Sequence, residues 1–259
     1  STMLVHAPTI PGQPITEDSP IDPRWPYPMS KVETEALIKE QHGDIPIVIL
    51  RLAGVYDDWG HNAFLSQQIS RIYEKSLLAR LYPGDLTHGQ SFIHLEDLGE
   101  AVLELIEKRK ELPSELVMLL GEPRTLSYDE IQRTVSQLLY GEALETKSIS
   151  KGIAKTGAWL QDEVLDEKPF IKPWMIDFAD DHYELDINRA KSLLNWKPKQ
   201  KLQVTLPKII SPLNSNPKRW YRENKLDVAL ASGDTTSIHH SKENNSNELK
   251  QVQRVAAEH

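Results

Sequence analysis

The spacing of apolar residues alternates between strand-like and helix-like periods along the chain. Residues 45–50 (IPIVIL) form a continuous, β-branched apolar run, which is typical of a strand buried on both faces of a parallel sheet. Apolar residues at helical spacing over residues 97–110 predict an amphipathic helix, and the basic run at 108–110 suits the negative end of its dipole. Further short strands are predicted at 91–94 and 115–120.

Another helix is predicted to begin near Tyr27. Pro28 suits its first turn, where a missing N–H costs nothing, and Gly43 suits the position just beyond its end. The apolar side of this helix is expected to comprise Val32, Leu37 and Ile38.

The remaining segments vary in how clearly they predict structure. Residues 1–5 resemble the end of a buried strand, and the proline-rich residues 6–26 predict an ordered surface loop. Ser127 and Glu130 form a capping box that predicts a helix over residues 128–139. Other helices are expected at 63–75, 188–194 and 204–213, with a mixture of short helices and loops over 141–187.

The last part of the chain lacks any such pattern. Apolar periodicity ends near Glu223, and residues 232–250 contain almost nothing apolar. Segments of this composition cannot bury enough apolar surface to offset the entropy of ordering. Residues 223–259 are therefore predicted to be a disordered tail.

Composition narrows the classes of function. The 259 residues are 39% hydrophobic, enough for one large domain or two small ones. A net charge of −8 argues against nucleic acid as a partner, because phosphate binding needs clustered Lys and Arg. No apolar run approaches the roughly 20 residues that span a bilayer, so no membrane partner is expected. The absence of cysteine excludes disulfides and thiolate chemistry, and a cytoplasmic location fits.

Tyr27 and Lys31 form the sharpest chemical signal. A spacing of four places them one helical turn apart on the same face. A nearby ammonium favours the phenolate over the neutral phenol, whose ordinary pKa is about 10. Tyr27 could then act as a general base towards an alcohol or a general acid towards a carbonyl. The alternative is an exposed helix pair without function.

Several motifs surround this pair in a fixed order. Residues 49–56 (ILRLAGVY) and 91–101 (SFIHLEDLGEA) follow it, and an Asp186, Arg189-Ala190, Trp196 and Pro198 pattern lies near the end. With residues 1–7 (STMLVHA), 16–20 (TEDSP) and 26–31 (PYPMSK), this order resembles the extended short-chain dehydrogenase/reductase family of NAD(P)-dependent epimerases and dehydratases. The matches cover roughly residues 1–215.

The resemblance implies roles for individual residues. Thr2 would hydrogen-bond the reacting oxygen; its alternatives are the neighbouring Ser1 in the same role, or a strand-end hydroxyl without function. Tyr27 would be the acid/base, and Lys31 would assist Tyr27 and hold the nicotinamide ribose. Tyr27 and Lys31 would thus also contact the cofactor, either NAD or NADP. Three further residues would line the nicotinamide pocket, although an ordinary strand-to-loop turn is an equal alternative for them: Ala53, Gly54 and Val55.

The chain also departs from the family pattern. It contains no glycine-rich dinucleotide loop, so it is expected to be an N-terminally truncated fragment that lacks the first βαβ units. Gly54 replaces an Asn that commonly contacts nucleotide-sugar substrates, and Gly89-Gln90 replaces a usual Arg. Both replacements remove groups suited to a diphosphate. The expected substrate is therefore an unspecified small-molecule carbonyl or alcohol compound.

Two other groups of polar residues invite a functional interpretation. His94 and Asp97 match positions that are often structural in the family, and Asp97 is predicted to cap the helix that follows. Asp180, Asp181 and His182 resemble a metal cluster in composition, but no second spaced ligand pair accompanies them. No metal site is therefore predicted.

The fold implied by the resemblance is α/β, the C-terminal part of a Rossmann-type doubly wound parallel sheet with a smaller α+β substrate-binding region. Residues 1–62 would complete the NAD(P)-binding region, and residues 63–222 would supply the remaining Rossmann elements and the substrate region. The implied function is that of an NAD(P)-dependent oxidoreductase or epimerase (an isomerase), which transfers hydride at a carbonyl or alcohol carbon. A homodimer is possible by analogy. The alternative is a non-catalytic, epimerase-like binding or scaffold protein.

Overall fold

The computed structural model describes residues 1–159 and 173–231, which fold as two compact units. The first unit comprises residues 1–62, 87–128 and 181–207; of the described residues, the second comprises 63–86, 129–159, 173–180 and 208–231. Residues 63–222 were predicted to form one region, but they contribute to both units. Most of the predicted tail, residues 232–259, lies outside the described residues. The part of the predicted tail that is described, residues 223–231, is ordered at its end, because a 3-10 turn at Val228–Ala231 buries Ala231.

The first unit contains two pairs of parallel strands. Strand β1 (Ile47–Leu52) pairs with β5 (Glu115–Leu120), and β2 (Gly54–Tyr56) pairs with β4 (Phe92–His94). Its helices are α1 (Pro26–Gln41), α3 (Leu95–Lys108), α7 (Asn188–Leu194) and the beginning of α8 (Leu202–Ser215). The hydrophobic core lies among β5, α3 and α7, and it includes Met118, Ala101 and Ala190. Parallel pairing confirms the predicted α/β class.

The second unit is mainly helical. It contains α2 (Ala63–Tyr73), α4 (Tyr128–Tyr140), α5 (Lys151–Trp159), α6 (Pro173–Ile176) and α9 (Pro217–Glu223). A short parallel pair joins β3 (Leu81–Tyr82) to β6 (Lys147–Ser148), and a 3-10 helix spans Leu77–Arg80. The buried amide of Gln68 donates to that of Gln132 at 3.1 Å, which links α2 to α4. None of the described helices combines the length and apolarity needed to cross a membrane.

The predicted strand over residues 1–5 is wrong. Met3–Val5 form a 3-10 turn, and the Thr2 hydroxyl accepts a hydrogen bond from the Leu4 amide at 3.3 Å. Thr2 retains one parallel bridge to Leu52. A local side-chain cap therefore ends the pairing with β1, because a hydroxyl that bonds its own neighbouring backbone competes with a sheet ladder.

The predicted strand at 45–50 is displaced by two residues. Pro46 has no N–H to donate, so pairing begins with the bond from the Ile47 amide to the Ser114 carbonyl at 2.8 Å. Ile45 precedes the strand and is 71% exposed. Gly43 has the positive φ of 57° expected just beyond a helix, as predicted.

Gly89 lies where two backbone segments approach too closely for any side chain. A Cβ on Gly89 would be 2.1 Å from the Leu126 carbonyl oxygen, whereas a Cβ on Gly99 in α3 would meet nothing within 4 Å. We expect Gly89→Ala to destabilise the protein by about 1–3 kcal/mol because the backbone must move. The matched Gly99→Ala should stabilise it by about 0.8–1 kcal/mol through helix propensity. Urea unfolding of both variants tests the contrast, and equal midpoints would contradict it.

Candidate active site

The predicted Tyr-Lys pair lies on α1. The Tyr27 side chain is 51% exposed, and the Lys31 Nζ atom lies 5.4 Å from the centroid of the Tyr27 ring. Glu35 lies one further turn along the same face. Unlike Tyr27 and Lys31, Glu35 is buried, so this face of the helix runs from the protein surface into the interior.

The predicted apolar side of α1 is wrong. Leu37 and Ile38 are 51% and 42% exposed, and the buried residues of the helix are Pro28 and Glu35. The charged Glu35 side chain therefore anchors the helix where apolar side chains were expected. Periodicity alone could not show this, since the partner of Glu35 comes from a different element.

That partner is Arg51 on β1, which forms a bidentate pair with Glu35. The Arg51 Nη2 and Nε atoms donate to the two carboxylate oxygens of Glu35 at 2.7 and 3.1 Å, and both side chains are buried. Burial alone would raise the pKa of the Glu35 carboxyl, but hydrogen bonds from Arg51 and the Ser1 hydroxyl outweigh it. The pKa of Glu35 is therefore lowered, and this residue stays ionised at neutral pH.

Arg51 has two more partners, both from the segment that precedes α1. Its Nη1 atom lies 3.0 Å from His6 Nε2 and 3.2 Å from the Glu17 carbonyl oxygen. The other ring nitrogen of His6, Nδ1, lies 3.1 Å from the Ser19 carbonyl oxygen. One guanidinium thus connects β1, α1 and the loop between Val5 and α1.

Two motifs that are distant in sequence meet at this loop. The Glu17 carboxylate accepts a hydrogen bond from the Leu119 amide of β5 at 3.0 Å, and its second oxygen lies 3.5 Å from Arg189 Nε. Arg189 on α7 also pairs with Asp18 at 2.7 Å. The acidic loop is therefore anchored to β5 by Glu17 and to α7 by the contacts of Glu17 and Asp18 with Arg189.

Thr2 lies next to α1, because the 3-10 turn that it caps packs against that helix. Its side chain is buried, with 6% exposed. The hydroxyl oxygen accepts the Leu4 N–H, and an accepting hydroxyl can still donate its own hydrogen. The role of Thr2 as a donor to a reacting oxygen stays a prediction.

Ala53 joins β1 to β2, and Gly54 and Val55 are the first two residues of β2. The Ala53 amide donates to the Leu120 carbonyl at 2.9 Å, and the Gly54 amide donates to the Ser91 carbonyl at 3.0 Å. A Cβ on Gly54 would lie 3.0 Å from the Phe92 ring, so a larger residue would require that ring to shift by a few tenths of an ångström. Both amides have sheet partners, and contact of these three residues with a nicotinamide stays a prediction.

A second buried polar cluster lies at the end of β2 and was not predicted. The Tyr56 hydroxyl donates to Glu122 at 2.9 Å, and the Leu202 amide donates to the other carboxylate oxygen at 2.9 Å. Burial raises the pKa of Glu122 to about 7, and burial together with the Glu122 charge raises the pKa of Tyr56. A single Glu after a strand has no sequence signal that would reveal such burial.

Glu122 should make stability depend on pH. Its pKa is about 7 in the folded chain against an ordinary value of 4.5, so the folded state holds a proton that the unfolded state releases. The stabilisation that comes from this bound proton is complete below about pH 4.5. It is lost as the pH rises through about 7, which should lower the free energy of unfolding by up to about 3 kcal/mol. We expect Glu122→Gln to flatten the pH profile of unfolding free energy in this window. The exposed Glu107→Gln on α3 serves as control, and an unchanged profile in Glu122→Gln would contradict the assignment.

The predicted cap of α3 requires correction. The helix begins at Leu95, and its N-cap is His94, whose Nδ1 atom accepts from the Glu96 amide at 3.2 Å. Asp97 instead accepts hydrogen bonds from the amides of Lys199 and Gln200 at 2.8 and 2.9 Å. Asp97 therefore fixes the segment before α8, in agreement with its predicted structural character.

The three polar residues at 180–182 have separate partners. Asp180 pairs with Lys151 at 2.8 Å, and Asp181 pairs with Arg24 at 2.6 Å. The buried His182 accepts from the Gly89 amide at 3.0 Å. Each of these side chains thus has a structural partner within its own unit.

The sequence of this chain is similar to that of a known enzyme family and of two curated plant enzymes. The sequence profile of the NAD dependent epimerase/dehydratase family matches residues 1–121. UDP-glucuronic acid decarboxylases 3 and 6 of Arabidopsis thaliana are each 25% identical over 195 residues, which are 73% of this chain and 48% of each relative. The chain therefore spans about half the length of the curated relatives it matches.

Solved structures show the same fold. A dTDP-glucose 4,6-dehydratase from Bacillus anthracis, in complex with NAD, has a TM-score of 0.62 at 18% identity, covering 86% of this chain and 63% of that one. A UDP-glucuronic acid 4-epimerase from Bacillus cereus, in complex with UDP-glucuronic acid and NAD, has a TM-score of 0.61 at 21% identity, covering 83% and 60%. The predicted Rossmann-type fold is confirmed by these likenesses.

Proposed function

Because residues 1–121 match the sequence profile of the NAD dependent epimerase/dehydratase family, we propose that this chain is part of an NAD-dependent epimerase, dehydratase or oxidoreductase. The reaction would take place at a carbonyl or alcohol carbon of a small molecule. The observation that supports this most directly is the Tyr27–Lys31 pair on a helix that Glu35 and Arg51 hold in place. A homodimer stays a prediction.

Tyr27 is the residue that we assign to proton transfer. Half of its side chain is exposed, so a substrate oxygen can reach the phenol. The Lys31 ammonium beside the ring would stabilise the negative charge that the Tyr27 oxygen acquires after giving up its proton. Thr2, next to the same helix, would donate a hydrogen bond to the reacting oxygen and keep it in reach of Tyr27.

The residues around Tyr27 fit the nicotinamide ribose of NAD. The Lys31 ammonium lies beside the Tyr27 ring and its side chain is partly exposed, so it would be able to donate to the ribose hydroxyls. When bound there, NAD would supply the acceptor or donor of hydride for the substrate carbon. We assign Lys31 and Tyr27 to the binding of its ribose, and Ala53, Gly54 and Val55 to the neighbouring nicotinamide.

The proposal is tested by turnover of the protein as its gene encodes it, with and without the Tyr27 hydroxyl. UDP-glucuronic acid is the first substrate to try, because the names of similar proteins include it. Loss of turnover in Tyr27→Phe supports the catalytic assignment. A native protein that neither binds NAD nor turns over carbonyl or alcohol compounds would instead support the non-catalytic binding or scaffold protein.

A further inference from the structure

His6 lies between the loop that precedes α1 and the ion pair that anchors α1. Its side chain is fully buried, at 0% exposure. Nδ1 lies 3.1 Å from the Ser19 carbonyl oxygen, and Nε2 lies 3.0 Å from Arg51 Nη1. Nδ1 thus faces backbone carbonyl oxygens of the loop, those of Ser19 and Pro20, whereas Nε2 faces an arginine of β1.

These two contacts determine the protonation state of His6. A carbonyl oxygen can only accept, so Nδ1 must bear the hydrogen; a guanidinium can only donate, so Nε2 must present its lone pair. The ring is therefore neutral. Burial and the Arg51 charge lower the pKa of His6 below its ordinary value of 6.5, which agrees with the geometry.

The charges around His6 come from two elements. Arg51 on β1 faces Nε2 directly, and Glu35 on α1 lies behind Arg51 as its counter-ion. The Glu17 carboxylate points away, towards the Leu119 amide and Arg189, and only its carbonyl faces Arg51. A proton on Nε2 would therefore place two donors 3.0 Å apart, since the Glu35 carboxylate already accepts from Nε and Nη2 of Arg51.

We propose that His6 is a positioning residue for the Tyr27–Lys31 pair, which it orients by holding Arg51 against Glu35. Glu35 is one of two buried residues in α1, so the orientation of that helix depends on this contact. Tyr27 and Lys31 lie on the same face, two turns and one turn before Glu35. The inference rests on the proposed function for its catalytic consequence, but its structural part can be tested separately.

A low pH should weaken the contact between His6 and Arg51, because it favours protonation of the histidine ring. The pKa of His6 is lower in the folded chain than in the unfolded chain, so the folded state binds fewer protons below pH 6.5. The contribution of His6 to stability is therefore complete above pH 6.5 and is lost as the pH falls through the folded pKa. The protection of α1 amides should decrease over the same range.

The test is hydrogen exchange of the α1 amides by NMR, in wild-type protein and three variants. His6→Leu cannot accept from Arg51 and should lower α1 protection factors roughly 10- to 100-fold at neutral pH. His6→Gln supplies an acceptor that does not titrate, so it should restore protection and abolish its loss in acid. The control is His182→Gln, which changes another buried histidine and should leave α1 unaffected.

Each outcome decides one question. If α1 protection in His6→Leu equals wild type, or if His182→Gln reproduces its effect, the positioning role is overturned. If His6→Leu does not fold, the comparison of wild type with His6→Gln in acid still decides the matter. If the native protein shows turnover, its kcat/KM should decrease at acidic pH, and His6→Gln should alter that decrease. A change in α1 protection without any change in kcat/KM supports the positioning of α1 and contradicts the catalytic role proposed for it.

Discussion

Replacing Tyr27 by Phe should lower kcat by roughly 10²- to 10⁴-fold, the usual contribution of a positioned general acid or base. The phenyl ring still allows Lys31 to stack on it, so the change removes the hydroxyl and little else. Because Tyr27 is 51% exposed, the free energy of unfolding should change by at most about 0.5 kcal/mol. The measurement is steady-state turnover together with urea unfolding of the same preparation.

A matched control separates chemistry from general damage. Tyr140→Phe in α4 removes a hydroxyl that donates to the Ile72 carbonyl at 3.2 Å. It should reduce stability slightly and leave kcat near that of the native protein. If Tyr27→Phe retains full turnover, Tyr27 is not the acid/base. If both variants lose turnover equally, the loss reflects folding and the assignment to Tyr27 gains no support.

Local chemistry explains which parts of the fold were predictable. The strand at 115–120 and the helix at 188–194 were placed at their observed bounds, Glu115–Leu120 and Asn188–Leu194. Both are short segments in which apolar spacing and neighbouring turn residues agree. The Tyr27–Lys31 contact was predictable for the same reason, because a spacing of four in a helix produces it directly.

The surroundings of that pair were not predictable, because they depend on residues brought together by the fold. Arg51 lies 16 positions after Glu35 and 45 after His6, and no periodicity relates the three. The motifs that contain Glu17 and Arg189 were recognised separately, yet their contact appears only in the structure. Burial of Glu122 was missed likewise, since an isolated Glu is ordinarily exposed.

The Glu35–Arg51 pair yields the largest expected effect on stability. Arg51→Met should reduce the free energy of unfolding by about 3–5 kcal/mol, because it leaves the buried Glu35 carboxylate without its counter-ion. Methionine is close to arginine in length and packs well, so the loss should come from the unpaired charge and only slightly from a cavity. Urea unfolding at neutral pH measures the effect.

The double variant Glu35→Leu, Arg51→Met identifies the cause. Replacing both members of a buried pair by apolar residues is often neutral or stabilising, so the double variant should recover most of the stability lost in Arg51→Met. Exposed ion pairs behave differently: Arg133→Met, which breaks the Arg133–Asp129 pair on α4, should cost at most about 0.5 kcal/mol. A double variant as unstable as Arg51→Met would mean that lost packing around Arg51, and its contacts to His6 and Glu17, account for the effect. In that case Arg51 would stabilise this unit chiefly through the segment before α1, and Glu35 would be a secondary partner.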